Sequence, residues 1–233
     1  MKLIKPTYEI ITNLEKGEVR KMLKTLEKVA RTCYKSEDKI TEDSADKMIE
    51  MLVKRGHEAM IEFADIIVKF TCDRGVSHEI VRHRLASYAQ ESTRYCNYSK
   101  DKFDNQITYI LPPWVNMNEG TYETKWDETG IYLQKCEGEP NDEADYVWFK
   151  EIANTEKSYK KLIDIGWQAQ QARAVLPNSL KTEINVKFNL REWRHFFKMR
   201  CAPAAHPQMR ELSLPLLTEF KSKIPILFDD LNF

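Results

Sequence analysis

Three observations predict an α+β fold in a single domain spanning residues 1–233, with helices packed on a small, mainly antiparallel sheet. Two segments alternate with the period of a strand: Ala64, Ile66, Val68 and Phe70 around Asp65, Ile67 and Lys69, and Leu180, Thr182, Ile184, Val186 and Phe188 around lysines, Glu183 and Asn185. Several longer segments place apolar residues at helical spacing. Helical runs outnumber the strands and do not alternate with them regularly, which argues against a doubly wound parallel sheet.

Taken in order, residues 17–34 carry Val19, Met22, Leu23, Leu26 and Val29 on one helical face, and residues 45–55 repeat this with Met48, Met51 and Leu52 before Gly56. The strand at 64–70 follows, then a short helix over 75–84. Residues 105–111 read as a strand stopped by Pro112 and Pro113. The polar stretch 116–141, with Gly120, Gly130, Gly138 and Pro140, reads as a loop or insertion. A long helix fits 142–165, and the strand at 180–188 leads to Asn189, an N-cap residue with Glu192 three positions on, in the manner of a capping box. That helix runs to about Arg200. A last helix over 206–222 contains Pro215, which should kink or divide it.

Composition narrows the function classes. Hydrophobic residues at 42% and charged residues at 31% can build a core. Thirty-six basic residues balance thirty-six acidic ones, so neither nucleic acid nor an anionic membrane is expected as a partner of the whole surface. Cys33, Cys72, Cys96, Cys136 and Cys201 are odd in number and contain no C-x-x-C, which fits a reducing cytoplasm better than a disulfide framework. No signal-peptide pattern and no membrane-length apolar run is present. Neither usual glycine-rich phosphate loop occurs, so a bound nucleotide must be held by side chains.

Two segments concentrate polar chemistry. Residues 78–95, HEIVRHRLASYAQESTRY, combine Arg82, His83, Arg84 and Arg94 with Ser87, Gln90, Glu91 and Ser92 and the rings Tyr88 and Tyr95. Guanidinium forks bind phosphate or carboxylate, and hydroxyls and an amide complete such a site. The plainer reading is a helix with solvated basic residues near its C-terminus, followed by a polar loop. The second segment offers Arg173, Asn189, Arg191, Arg194, His195 and Arg200, with Arg191, Arg194, His195 and Lys198 on one helix flank and Trp193, Phe196 and Phe197 on another. Arg200 lies near the apolar side and needs either a ligand or a structural carboxylate. His57, after Gly56, reads as a ligand contact or a helix-end residue. No H-e-x-x-H or zinc spacing is present, so no metal is expected. Cys201, beside Arg200, is the best candidate for a nucleophilic thiol or else a small buried residue.

The run RHRLASYAQESTRY resembles the signature R-H-R-x-x-S-x-N-x-x-S-x-R of flavin-dependent thymidylate synthases, with Arg82, His83, Arg84, Ser87, Ser92 and Arg94 in register. Similarity extends to His57 and Glu62, to Q-A-R-x-x-L-P at Gln171–Pro177, and to Asn189, Arg191, Arg200 and His206. The resemblance implies reductive methylation of dUMP to dTMP by a homotetramer with active sites between subunits. It implies FAD as cofactor, NADPH as reductant and methylenetetrahydrofolate as one-carbon donor, with no cysteine nucleophile. Carried over by position, His57, Ala59, Arg82, His83, Arg84, Gln90, Asn189, Arg191 and His195 would contact FAD. Glu79, Arg82, Gln90, Ser92, Thr93, Arg94, Arg173 and Arg200 would contact dUMP, with Arg200 as the catalytic residue at the uracil edge. Ala89 stands in place of the signature's asparagine, Gln90 where glutamate is common, Glu79 where glutamine is common and His195 where asparagine is common. Glu79 and Gln90 would then be an exchange of acid and amide within one site. The departures leave room for UMP or another pyrimidine nucleotide. The other readings are a cysteine-dependent methylase using Cys201 or Cys96, and a single-strand nucleic-acid-binding module stacking bases on Tyr88 and Tyr95.

Overall fold

The structure is a computed structural model describing residues 1–100, 105–127, 130–135 and 140–233. In chain order the elements are β1 (Lys2–Ile4), β2 (Thr7–Ile10), α1 (Lys16–Tyr34), α2 (Ser44–Lys54), β3 (Asp65–Asp73), α3 (Arg74–Ile80), β4 (Ala86–Gln90), β5 (Thr108–Ile110), β6 (Gly120–Thr121), β7 (Glu123–Asp127) and β8 (Gly130–Lys135). Then come α4 (Glu143–Asp164), α5 (Ala169–Ala172), β9 (Lys181–Asn189), α6 (Leu190–Arg200), α7 (Pro207–Lys223) and α8 (Pro225–Phe228), with short 3₁₀ turns at Glu37–Lys39, Glu58–Phe63 and Arg173–Val175. The chain forms two compact units interleaved in sequence: one of Met1–Thr7, Phe70–Ile80 and Gln90–Ile184, the other of Tyr8–Lys69, Val81–Ala89 and Asn185–Phe233. A four-stranded sheet has the order β2-β3-β9-β4.

In the first unit β1 lies between β5, to which it is parallel, and β6, to which it is antiparallel. Leu3, Ile107, Tyr109, Tyr122, Phe149, Ile152 and Tyr159 fill its core. Asp142 caps α4 by accepting from the Asp145 N–H at 2.9 Å, as its position just before the helical run requires.

In the second unit α1 buries Val19, Leu23, Leu26 and Ala30, and α2 buries Ala45, Met48, Ile49 and Leu52. Gly56, just past α2, takes φ +69°, a conformation glycine adopts without strain. An aromatic cluster forms the centre. Trp193 meets Phe188, Phe196, Phe197 and Phe220 at ring-centroid distances of 4.8–5.8 Å, and its Nε1–H donates to the Ile66 carbonyl at 3.0 Å. These contacts fix which flank of α6 faces inward, and so which flank is left for a ligand.

Several expectations are corrected. The described part of 116–141 is not a bare loop: it holds β6 and an antiparallel ribbon of β7 and β8, whereas residues 128–129 and 136–139 lie outside the described residues. Strand β4 was not expected, because its alternation of half-buried and exposed positions involves Ala86, Ser87, Ala89 and Gln90, which carry little strand propensity. The helix expected over 75–84 stops at Ile80, and Arg84 Nη1 donates to the Val81 carbonyl at 2.8 Å just beyond that end. Pro215 does not divide α7, which stays one element with Leu212, Leu216, Leu217 and Phe220 buried on both sides of the proline.

Candidate active site

The candidate site residues of the second unit are set by α6 and by the turn between α3 and β4. Asn189 Oδ1 accepts from the Glu192 N–H at 2.8 Å, which fixes the start of α6. The reciprocal half of a capping box is not made, because the Glu192 side chain turns instead to His83. Asn189, Arg191, Glu192, His195 and Lys198 then line an open cleft of about 490 Å³ together with Glu58, Glu62, Arg84 and Leu85. Four residues expected to hold flavin, Arg84, Asn189, Arg191 and His195, are thus brought together across more than a hundred positions of sequence. Glu58 and Leu85 also line it without having been singled out, and Lys198 joins them from the helix flank it shares with Arg191 and His195. No spacing argument could have found Leu85, which is 83% exposed among polar neighbours.

The cleft's charges are already organised. Arg191 pairs with Glu62 at 2.6 Å and lies 3.9 Å from Glu58, which is 3.7 Å from Lys198. Arg194, expected on the polar flank with these residues, is instead buried. Its guanidinium bonds Glu58 at 3.0 Å, Asp230 at 2.6 and 2.7 Å and the Leu227 carbonyl, so its role is to anchor Glu58 and the chain after α8. A buried guanidinium is tolerable only with such partners.

Behind the cleft wall lies a hydrogen-bonded series. His83 is 5% exposed, with its ring centroid 5.1 Å from that of Phe196 and 5.8 Å from that of Phe188. Its Nδ1 is 2.7 Å from Glu192 Oε1, and its Nε2 accepts from Arg200 Nε–H at 3.0 Å. A guanidinium can only donate, so Nε2 must carry a lone pair, and the ring's proton sits on Nδ1 facing Glu192. The contact is therefore a hydrogen bond to a neutral imidazole, not an ion pair. Burial lowers His83 to about 4, helped by Arg200, His195 and Arg82, while burial raises Glu192 to about 7 against the lowering influence of Arg191. His83, Glu192 and His195 offer ligand atoms within 4.8 Å of one another. Both nitrogens of His83 are already engaged, one with a cation, and that disfavours a metal ion there.

The remaining residues of the second unit divide sharply. Arg82 is exposed. His57 is exposed and its Nδ1 bonds the Tyr34 hydroxyl at 2.5 Å, with the rings stacked at 6.3 Å; Tyr34 was not anticipated. Ala59 is exposed and has only a methyl group and its backbone to offer. Cys201 is fully buried, and burial raises its thiol, opposed by Ser213, Arg210 and Lys221; this argues against the nucleophile reading, since a thiolate is what attacks. Tyr88 is half-buried edge-on to Phe188 with its hydroxyl donating to the His83 carbonyl at 2.8 Å, so it is not an open stacking platform. Tyr95, in the first unit, is 76% exposed.

The first unit holds six of the eight residues expected on the nucleotide, whereas Arg82 and Arg200 belong to the second. After β4 the chain turns, with the Tyr95 and Cys96 amides both donating to the Ser92 carbonyl at 3.1 Å. Ser92 Oγ accepts from the Arg94 N–H at 3.3 Å, and the exposed Arg94 guanidinium lies over the Tyr95 ring, 5.5 Å from its centroid. Arg173 Nη1 donates to Thr93 Oγ1 at 3.2 Å, bridging 80 positions of sequence. Gln90 Nε2 donates to Ser77 Oγ at 2.9 Å and to Thr182 Oγ1 at 3.2 Å. Glu79 is half-buried on α3. Cys96 is half-buried. Among the described residues no helix is long and apolar enough to cross a membrane.

The chain is similar to several known proteins. The chain is 29% identical over 187 residues to a flavin-dependent thymidylate synthase of Pyrococcus furiosus, covering 80% of this chain and 66% of that protein, just under two thirds of its length. It is 30% identical over 208 residues to the Geobacter sulfurreducens protein of that name, covering 86% and 78%, and 31% identical over 216 residues to that of Clostridium tetani, covering 88% and 80%. Among solved structures, the UMP/dUMP methylase PolB from Streptomyces cacaoi bound with 5-Br dUMP superposes with a TM-score of 0.71 at 20% identity, over 98% of this chain and 96% of that one, which shows a shared fold. The family described as thymidylate synthase complementing protein matches residues 18–226, and with nine-tenths of its length inside that match the chain belongs to this family.

Proposed function

We propose that the protein methylates dUMP to dTMP, taking the one-carbon unit from methylenetetrahydrofolate and using FAD reduced by NADPH, as a homotetramer with active sites between subunits. The observation that carries this reading is the cleft that gathers Arg84, Asn189, Arg191 and His195. Its donor set fits a flavin dinucleotide. Arg84, Arg191 and Lys198 supply cations for a diphosphate, Glu58 and Glu62 accept from sugar hydroxyls, and Leu85 gives apolar surface to a ring. Asn189, whose Oδ1 is held by the helix cap, keeps its NH₂ as a donor. Bound reduced flavin supplies the hydride that completes the methyl group.

The chain's own residues bind and orient. Arg94 and Arg173, with the Ser92 and Thr93 hydroxyls, neutralise and fix a nucleotide phosphate, which turns binding energy into orientation of the base. Arg200 faces the edge of the uracil, where a fixed positive charge favours electron density on the ring and so its attack through C5 on an electrophilic methylene. Neutral His83 steadies that guanidinium without cancelling its charge.

The test is the visible absorption of protein reconstituted with FAD and desalted, before and after dUMP, followed by turnover with NADPH and methylenetetrahydrofolate. The expected result is a retained flavin band that shifts on adding dUMP, formation of dTMP, and loss of flavin retention in Arg191→Ala. A protein that retains no flavin with or without dUMP refutes the reading. Competition between dUMP and UMP in the same assay assigns the sugar.

A further inference from the structure

We propose that Glu192 is a positioning residue for Arg200, acting through His83: its carboxylate holds the ring proton on Nδ1, leaving Nε2 with the lone pair that accepts Arg200 Nε–H. The geometry carries this. The three groups form one line of hydrogen bonds, 2.7 Å from Glu192 to His83 and 3.0 Å from His83 to Arg200. His83 cannot rotate to exchange partners, because its ring sits among Phe188, Phe196 and His195 with centroids at 5.1–5.8 Å. Its own carbonyl is held by Tyr88. A neutral imidazole has two tautomers, and with the proton on Nε2 it would face a donor with a donor, pushing the guanidinium away. Glu192 is the group that decides between them. It is 8% exposed on the first turn of α6, and the helix cap uses only its backbone N–H, so the side chain is free for this task.

The proposal rests on the reading that Arg200 acts on the pyrimidine, and its test separates the two. The tautomer is read in the flavin-free protein by long-range ¹H–¹⁵N NMR of ¹⁵N-histidine-labelled samples, with His83→Gln assigning the signal. The wild type is expected to show a protonated Nδ1 and a pyridine-like Nε2. Glu192→Gln, whose amide oxygen still accepts from Nδ1–H, keeps that pattern and turnover close to wild type. Glu192→Ala shifts His83 toward mixed tautomers and lowers kcat about 100-fold, the scale of a misplaced reacting group, while FAD is retained. Glu192→Ala with the wild-type tautomer, or with wild-type turnover while Arg200→Ala is inactive, overturns the positioning role and leaves the reading of Arg200 standing. Full turnover in Arg200→Ala overturns that reading, and the positioning role with it.

Discussion

Replacing Gln90 with glutamate, the residue common at this position in the family it resembles, is a small change whose cost can be worked from three hydroxyl and carbonyl groups. Ser77 Oγ donates its single proton to the Arg74 carbonyl at 2.9 Å, so toward Gln90 it can only accept, and the side-chain amide must present its NH₂ there. In Gln90→Glu a carboxylate would meet the Ser77 lone pairs. Thr182, 1% exposed, can turn its hydroxyl and donate, which recovers one of the two bonds. Ser77 can turn as well only by abandoning the Arg74 carbonyl. One buried group is left unsatisfied in either case, at about 1–3 kcal/mol. With a urea dependence of about 2 kcal/mol per molar, the unfolding midpoint at pH 7 should fall by about 1 M.

The assay is a double-mutant cycle. Ser77→Ala removes the facing acceptor, so Gln90→Glu should cost much less in that background, and the coupling should exceed about 0.5 kcal/mol. Acid should also relieve the loss. The introduced carboxyl has its folded pKa raised, so the penalty grows as pH rises through the carboxylate range and vanishes below it, where a protonated acid donates again. If instead Glu79→Gln restores Gln90→Glu while Ser77→Ala does not, Gln90 and Glu79 are the exchanged pair suggested by their identities, and the hydroxyl argument is wrong.

Two further outcomes test the remaining placements. Arg94→Ala should weaken dUMP binding by about 2–3 kcal/mol, the worth of a charged hydrogen bond, without changing flavin retention; titration calorimetry with unchanged dUMP affinity would remove Arg94 from the phosphate site. Arg194→Ala leaves Glu58 and Asp230 facing a void and should cost about 3–5 kcal/mol in unfolding free energy, whereas Arg194→Met, which fills the volume, should cost less than that; equal losses would show that the unpaired carboxylates and not the void set the cost.

Much of the fold was legible because the burial of whole faces sets the period. β3 and β9 bury Ile66, Val68, Phe70, Ile184, Val186 and Phe188, the residues that gave their alternation, and Asn189 caps α6 where its place in the sequence put it. The elements that were not legible are those held by distant partners. β1 and β2 are three and four residues long and owe their existence to neighbours in their sheets, not to their own pattern. For β7 and β8, the glycines and polar residues outweighed the β-prone Thr124, Trp126, Ile131, Tyr132 and Leu133. The site divides similarly. The signature residues could be named from their register, but Arg194 and Arg200, both basic residues on one helix, could not be assigned different jobs from spacing alone.

Their difference lies in what each meets. Arg194 ends among carboxylates, so its charge is matched within the protein and its loss is chiefly a loss of stability. Arg200 Nε donates to an imidazole nitrogen, a partner that fixes the direction of that bond and is itself uncharged. If Arg200 acts on the pyrimidine as proposed, a carboxylate in His83's place would hold the arginine as firmly but would weaken its field at that ring. Placing the carboxylate of Glu192 one residue further back, beyond the ring, keeps the orientation while moving the negative charge away from the guanidinium. A protein that needs an oriented cation has reason to interpose a neutral ring, and for the same reason has to specify that ring's tautomer.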